Sequence, residues 1–588
     1  MYPHQISASD NFFEVSKKIA KNFLQSVVVV DDQATFEEKE PEKLSPDAKE
    51  AVPNVRGGRG MKLDSLLTEP LQEGAAELTT SEAAEDISGV LNVKRLNDCF
   101  AEMGLICSVL KPSEEEAALI VTKADHVARR ADIVVFDWIL IRNEEAGTTA
   151  LKSIHGILKE DVAQADDSSL QPRTRLIAIY TSFPALDAVV AQTKRYLAEK
   201  GMDFTNHDDF TLVNGLVKIA FYRKNRGSAP SAAITSRTLG EKELIDHLID
   251  DFTEMTYGLL SNIALASLGA LRENTHRVLR KFERRLDAPY LSHRTMVSPA
   301  DEAQQHPVPL LTAEFNDVLE DSGVDGNASV EMIEKWLDHQ IAEGEISFAG
   351  KVEGLTDVQL RAAFLDLVKH GVDAEYEKLK ASGLLPKWKK VVETASRSDK
   401  DSAITSLLIK DATAGSRDLD FAILTTIRSR YEKPEPLLTL GSIVAKRVSD
   451  KDEYFVCIQP VCDSVRLKRD TIFPFLKLHN SAEPNEEGKI SSKFGIVVCD
   501  NNEYRKLRVS LKPRDISLEN LKFQVAGEIR AEQTPQQPYF FETVGEATNL
   551  RWVGNLKFAH AQRIANDFAR EVSRVGLVES DWLRRVGG

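Results

Sequence analysis

Hydrophobic positions recur with two different periods along this chain, and the changes between them divide it. Residues Asp10 to Leu24 have helical spacing, with Phe12, Phe13, Ile19, Phe23 and Leu24 apolar and Lys17, Lys18 and Lys21 polar. The run Val27-Val28-Val29-Val30 follows, and its β-branched composition and shortness predict a buried strand ending in Asp31-Asp32. From 33 to 90 periodicity is lost and Glu, Lys, Pro, Gly and Ala dominate. Such text buries too little apolar surface to offset chain entropy and reads as a mobile insertion.

Strand and helix then alternate. An amphipathic helix is expected over Leu91–Met103, ended by Gly104, then a strand over Leu105–Leu110. A helix opens at Ser113 with Glu114, Glu115 and Glu116 in its first turn, where carboxylates suit the helix dipole. Further strands are expected at Asp132–Leu140, Leu176–Tyr180 and Leu216–Tyr222, with helices at Thr148–Leu158 and Leu186–Lys200. A polar insert falls near Asp161–Pro172, and Asp203–Gly215 reads as an extra turn or hairpin. Five strands alternating with helices predict an α/β unit: a doubly wound five-stranded parallel sheet, covered on both faces.

Past a linker-like stretch, RGSAPSAAITS, the pattern from Gly240 to about Ile427 is helical. It opens with Ile245, Leu248, Phe252, Met255 and Leu259, whose three–four spacing predicts the seam of a coiled coil or helix pair. From Leu437 the texture turns to β (YFVCIQPV, FGIVVCD, KLRVSL, FQVAGEI), closing with an amphipathic helix near Phe558–Val575. The expected organisation is a first domain over 1–230 that includes the N-terminal helix and the insertion, a mostly helical region over 231–436, and a β-rich domain over 437–588 ending in a helix.

Composition narrows the setting. The 588 residues are 42% hydrophobic and 28% charged, enough core material for several domains. Asp and Glu outnumber Lys and Arg, 91 to 75, for a net charge of −16. That balance disfavours nucleic acid and anionic lipid as partners except through a local basic patch. Five scattered cysteines make no disulfide framework, and neither a secretory signal nor a run of about 18 apolar residues is found. A cytoplasmic protein without membrane contact is the expectation.

Ligands of open parallel sheets sit at the carboxyl ends of the strands. Those ends carry Asp31 and Asp32, then Asp137, then Thr181 and Ser182, then Lys224. In order and in type, this set resembles the receiver domain of two-component response regulators, carried by VVVVDD, VVFDWIL, AIYTS and FYRK over Ser26–Asn225. The resemblance implies a phosphoacceptor at Asp137 and Mg²⁺ held by Asp31, Asp32, Asp137 and the backbone carbonyl of Trp138. It also implies Lys224 and Thr181 as partners of the phosphoryl oxygens. Of Arg223 and Lys224, the latter is the expected cation, because Phe221 then lies three residues before it, where receivers often carry a switch aromatic; Phe221 reads equally as core. A switch at Thr181 and Phe221, a partner histidine kinase, and output through a second response regulator, an effector protein or self-association along the helical region complete the expectation. Over its whole length the chain also resembles large receiver proteins of Detocs-type antiphage two-component systems, through YFVCIQPVCDSVRL and SRVGLVESDWLRRV.

Other signals are weaker. His276 is followed by Arg277 where autokinase helices carry an acid, so it reads as a surface histidine. Cys457, Cys462 and Cys499 lack paired zinc spacing and read as buried thiols. The basic run Arg277–Arg285 reads as a solvated helix face, and Asp321–Ser329 as a turn. No recognisable catalytic motif or helix-turn-helix is found in Gly240–Gly588.

Overall fold

The computed structural model describes residues 10–35, 91–112, 117–141, 144–163, 174–225, 234–298, 300–304, 306–347, 356–382, 404–410, 413–431, 435–449, 451–480, 495–511, 515–524, 527–534, 537–545 and 549–573. Most of the expected insertion, the start of the helix expected at Ser113, most of the polar insert and most of the linker-like stretch lie outside the described residues; Asp161, at the start of that insert, is instead buried near the end of a helix and paired with Arg175 at 2.5 Å. The chain divides into two compact units, 1–336 and 337–588.

The first unit is built on a sheet of eight strands. Its centre is parallel: β2 (Ile106–Leu110), β1 (Ser26–Val30), β3 (Ile133–Phe136), β4 (Arg175–Thr181) and β7 (Val217–Lys224), in that spatial order. These are the five strands expected. The segment after the fifth helix, Leu186–Glu199, adds a hairpin, β5 (Thr205–Asp208) and β6 (Thr211–Asn214), antiparallel along the edge of β7. A short β8 (Thr238–Leu239) pairs in parallel with Arg223 and Lys224.

The strands are apolar on both sides because both faces are covered. Val28, Val30, Val134, Phe136, Ile177, Ile179, Ile219 and Phe221 form one face. It packs on helices α3 (Ala117–Ala128), α4 (Thr148–Ala163) and α5 (Leu186–Glu199). Alternate residues Val27, Val29, Ile133, Val135, Leu176, Ala178, Ala220 and Tyr222 face the other way. There they meet α1 (Phe12–Phe23), α2 (Val93–Glu102) and α6 (Glu241–Thr256). Each fully buried Val or Ile contributes about 1.5–3 kcal/mol.

Two sequence expectations change here. The three–four stripe of α6 seals the sheet, with Leu244, Ile245, Leu248, Ile249 and Phe252 all buried against it; it is not a coiled-coil seam. A helical stripe shows which side is apolar and not what will cover it. The third strand, expected to run to Leu140, stops at Phe136, because the Asp137 carboxylate accepts the Ile139 N–H at 3.2 Å and turns the chain. Beyond α6 come α7 (Leu259–Lys281), α8 (Asp287–Met296) and α9 (Pro307–Asp321). None of the residues of α8 or α9 is buried, and Leu279, Leu291, Met296 and Val308 are exposed. His276 is exposed on α7, and Val324–Ala328 is a short 3₁₀ turn, both as expected.

In the second unit, helices α11 (Asp357–Ser382) and α12 (Ala414–Thr426) precede an antiparallel sheet of nine strands between Ser442 and Asn555. (The helix α10, Val330–Ala342, spans the division between the units.) One sheet face, with Ile443, Tyr454, Val456, Leu476, Ile496 and Leu507, packs on the last helix, α13 (Phe558–Val572). The opposite face is aromatic, with Phe455, Phe473, Phe475, Phe523 and Phe541. Gly441 has φ +86°, and a Cβ there would stand 2.7 Å from that of Ala561, so the close seat of α13 requires glycine. Of the three downstream cysteines only Cys457 is buried; Cys462 and Cys499 are exposed, against expectation, because one sits in a turn and the other faces outward from its strand.

Candidate functional site

Register brings the polar ends of the strands together. Val30 pairs with Phe136, Phe136 with Ile179 and Ile179 with Phe221, so each apolar run ends at a common level. The Asp137 N–H still donates to the Val30 carbonyl at 2.8 Å, which sets Asp31 and Asp137 side by side where the strand order reverses. Crevices of that kind are where ligands of such sheets bind.

One carboxylate oxygen of each of Asp31, Asp32 and Asp137 lies within 4.8 Å of the others. Asp31 and Asp137 are buried and Asp32 is half-buried. Lys224 Nζ donates to Asp31 Oδ2 at 2.6 Å and also to Asp137 Oδ2. Thr181 Oγ1 donates to Asp137 Oδ1 at 2.8 Å, and Asp31 Oδ1 accepts the Gln33 N–H at 2.8 Å.

Electrostatics follow from three carboxylates facing one ammonium. Burial raises the pKa of Asp31 above the usual carboxylate value; the Asp137 charge adds to the rise, and Lys224 only partly offsets it. For Lys224, burial favours loss of the proton, but the charges of Asp137 and Asp31 outweigh it, so the ammonium is held more firmly than in an ordinary lysine. The excess of negative charge, carried by oxygen donors alone, fits a hard divalent cation such as Mg²⁺.

The remaining expected site residues lie as follows. The Trp138 carbonyl accepts the Gly147 N–H at 3.1 Å and is thus engaged in holding its own loop. The Trp138 side chain is buried, and Gly147, at φ +87°, lies so close that a Cβ would fall 2.1 Å from the indole. Phe221 is fully buried among the core residues over α5. Arg223 pairs by register with Thr181 and is half-buried; Lys224 is the cation that reaches Asp137.

One residue of the site, Tyr180, is not among those expected from the sequence. Tyr180 places its ring 5.7 Å from Lys224 Nζ, and its hydroxyl donates to the Leu239 carbonyl at 2.9 Å. Tyr180 stands inside AIYTS, but a strand tyrosine carries no signal of such a contact.

Fold and site together define a doubly wound domain with an acidic, cation-ready centre at its switch point. Residues 23–229 match the family model described as the response receiver domain, and the N-terminal region of this protein is a receiver domain. Receiver domains carry phosphoacceptor chemistry of the response-regulator type, so a kinase-type phosphodonor is implied as a partner. No curated protein and no solved structure matches the chain. Among the described residues, no helix is long and apolar enough to cross a membrane.

Proposed function

We propose that Asp137 accepts a phosphoryl group from a histidine kinase and that the protein transmits or stores that state through contacts with other proteins. The observation carrying this reading is that Asp137 accepts from the Thr181 hydroxyl on one carboxylate oxygen and from the Lys224 ammonium on the other.

An Asp137 oxygen attacks the phosphorus of a phosphohistidine. The P–N bond breaks, the imidazole leaves with that electron pair, and an acyl phosphate forms on Asp137. Asp31, Asp32 and Asp137 would hold a divalent cation, which would supply charge neutralisation as the two anions approach. Lys224 and the Thr181 hydroxyl then offer an ammonium and a hydrogen-bond donor to the phosphoryl oxygens as negative charge spreads over them.

Output by protein contact is supported by the exposed apolar side chains of α7, α8 and α9, since uncovered apolar surface on a helical face marks interaction. In the form suggested by the resemblance to Detocs-type systems, the protein is a phosphate buffer for its kinase in antiphage defence. A receiver-controlled effector, with enzymatic or nucleic-acid-binding chemistry in 437–588, is the competing form. A phosphorylation-dependent activity that survives only with 437–588 intact would identify it.

The test is phosphotransfer from the cognate kinase, with the modified residue located by mass spectrometry. Acid-labile label is expected on Asp137 and is expected to vanish in Asp137→Asn. Label at another residue, or undiminished label in Asp137→Asn, refutes the assignment.

A further inference from the structure

One carbonyl ties the ends of two site strands to the helix that follows. The Leu239 oxygen accepts from Tyr180 Oη at 2.9 Å and from the Asn225 N–H at 3.0 Å. Tyr180 directly precedes Thr181, and Asn225 directly follows Lys224. The two donors are therefore the chain neighbours of the two residues that grip Asp137. Leu239 is the last residue of β8, and Gly240, next in the chain, is the N-cap of α6, its N–H bonded to Glu243 Oε2 at 2.9 Å.

The rest of this region is stiffly joined. Lys218 on β7 pairs with Asp251 at 2.7 Å and Glu254 at 2.6 Å on α6, and the Tyr222 hydroxyl donates to Asp251. Arg237, just before β8, reaches Asp208 on the hairpin at 2.7 Å and lies 5.4 Å from the Tyr222 ring centre. A displacement at Leu239 thus enters a connected set of β7, the hairpin and α6, rather than a free loop.

We propose that Tyr180 is a positioning residue: its bond to the Leu239 carbonyl couples Thr181 and Lys224 to the β8–α6 junction, carrying the state of Asp137 to α6. The inference rests on Asp137 being the phosphoacceptor. A phosphoryl group there presents new oxygens to Lys224 and Thr181, so both side chains must leave their present carboxylate partners. The backbone at the ends of β4 and β7 shifts with them. Because Leu239 is bonded to both ends, it follows, and the first turn of α6 moves with it. Removing the Tyr180 hydroxyl cuts one of the two tethers and leaves the ring beside Lys224.

The experiment uses the full chain with Mg²⁺ and beryllium fluoride as a phosphoryl mimic. Bound fluoride is followed by ¹⁹F NMR, and amide hydrogen exchange is followed across residues 234–249. In the wild type, mimic binding is expected to change exchange at 239–245 by about threefold or more. Tyr180→Phe is expected to bind the mimic with near-normal affinity while losing most of that change. A purely packing role would alter exchange equally with and without the mimic, so the mimic-dependent difference is the quantity compared. A full difference in Tyr180→Phe, or none in a wild type with visibly bound mimic, overturns the coupling. Failure of the wild type to bind the mimic overturns the phosphoacceptor reading itself, and the coupling with it.

Discussion

Replacing Lys224 with methionine separates the two tasks of its ammonium, balancing buried charge and gripping Asp137. The residue is only 4% exposed and is the cation bonded to both Asp31 and Asp137. Methionine occupies a similar volume without charge, so little cavity forms and the loss is electrostatic. Removing one partner of a buried ion pair costs about 3–5 kcal/mol. For a unit of 336 residues, with an unfolding entropy of about 2.1 cal/mol/K per residue, roughly 1.4 °C accompanies each kcal/mol, so without divalent cation a fall of about 4–7 °C is expected. Mg²⁺ at a hundred times its Kd stabilises by about 2.7 kcal/mol. In the variant its contribution should be larger, because the cation then neutralises carboxylates that no ammonium faces; a gain of about 1.4 kcal/mol corresponds to tenfold tighter binding. The pH dependence has a definite sign. Asp31 has a raised pKa, so its stabilising protonated state is complete below the ordinary carboxylate value and lost as pH rises through the raised one. The gap between variant and wild type should therefore be wider at neutral pH than in mild acid. Scanning calorimetry of the full chain, in chelator and in Mg²⁺, reads all of these quantities. The argument is refuted if the variant melts with the wild type in chelator, or if Mg²⁺ leaves the gap between them unchanged.

Two further substitutions test other parts of the chain. Gly147→Ala drives a methyl into the Trp138 indole at a backbone angle of φ +87°; about 1–3 kcal/mol of overpacking, with roughly 1–2 kcal/mol of left-handed strain, should lower the melting temperature and weaken Mg²⁺ binding at the neighbouring Asp137. Melting unchanged within error would show that the loop yields freely. In the second unit, burial alone would raise the Asp500 pKa, but hydrogen bonds from Arg551 and Tyr454 hold it below the usual value. Its stabilising contribution is therefore present above the ordinary carboxylate pKa and is lost as pH falls through the depressed one. Arg551→Met should cost about 3–5 kcal/mol at neutral pH, and the difference from wild type should close in acid; urea denaturation at several pH values shows it, and a pH-independent difference would contradict it.

Much of the first unit is legible in the residues themselves. Apolar runs such as VVVV and IVVF are too short for helices and too apolar for a half-exposed sheet, so burial on both faces follows from composition. Polar residues that end such runs lie at the sheet's edge whatever the rest of the chain does, which is why Asp31, Asp32, Asp137, Thr181 and Lys224 could be named together. Register lay beyond that reading, because it depends on hydrogen bonds between segments far apart in sequence. Only the folded sheet sets Asp31 beside Asp137 and brings the Lys224 ammonium to both. Tertiary packing likewise turned the α6 stripe toward the sheet, engaged the Trp138 carbonyl with Gly147, and brought the Tyr180 hydroxyl to Leu239, 59 residues away. Local periodicity records which side of an element avoids water; the identity of the neighbour that covers it, and the polar contacts made along that boundary, arise only when distant segments meet.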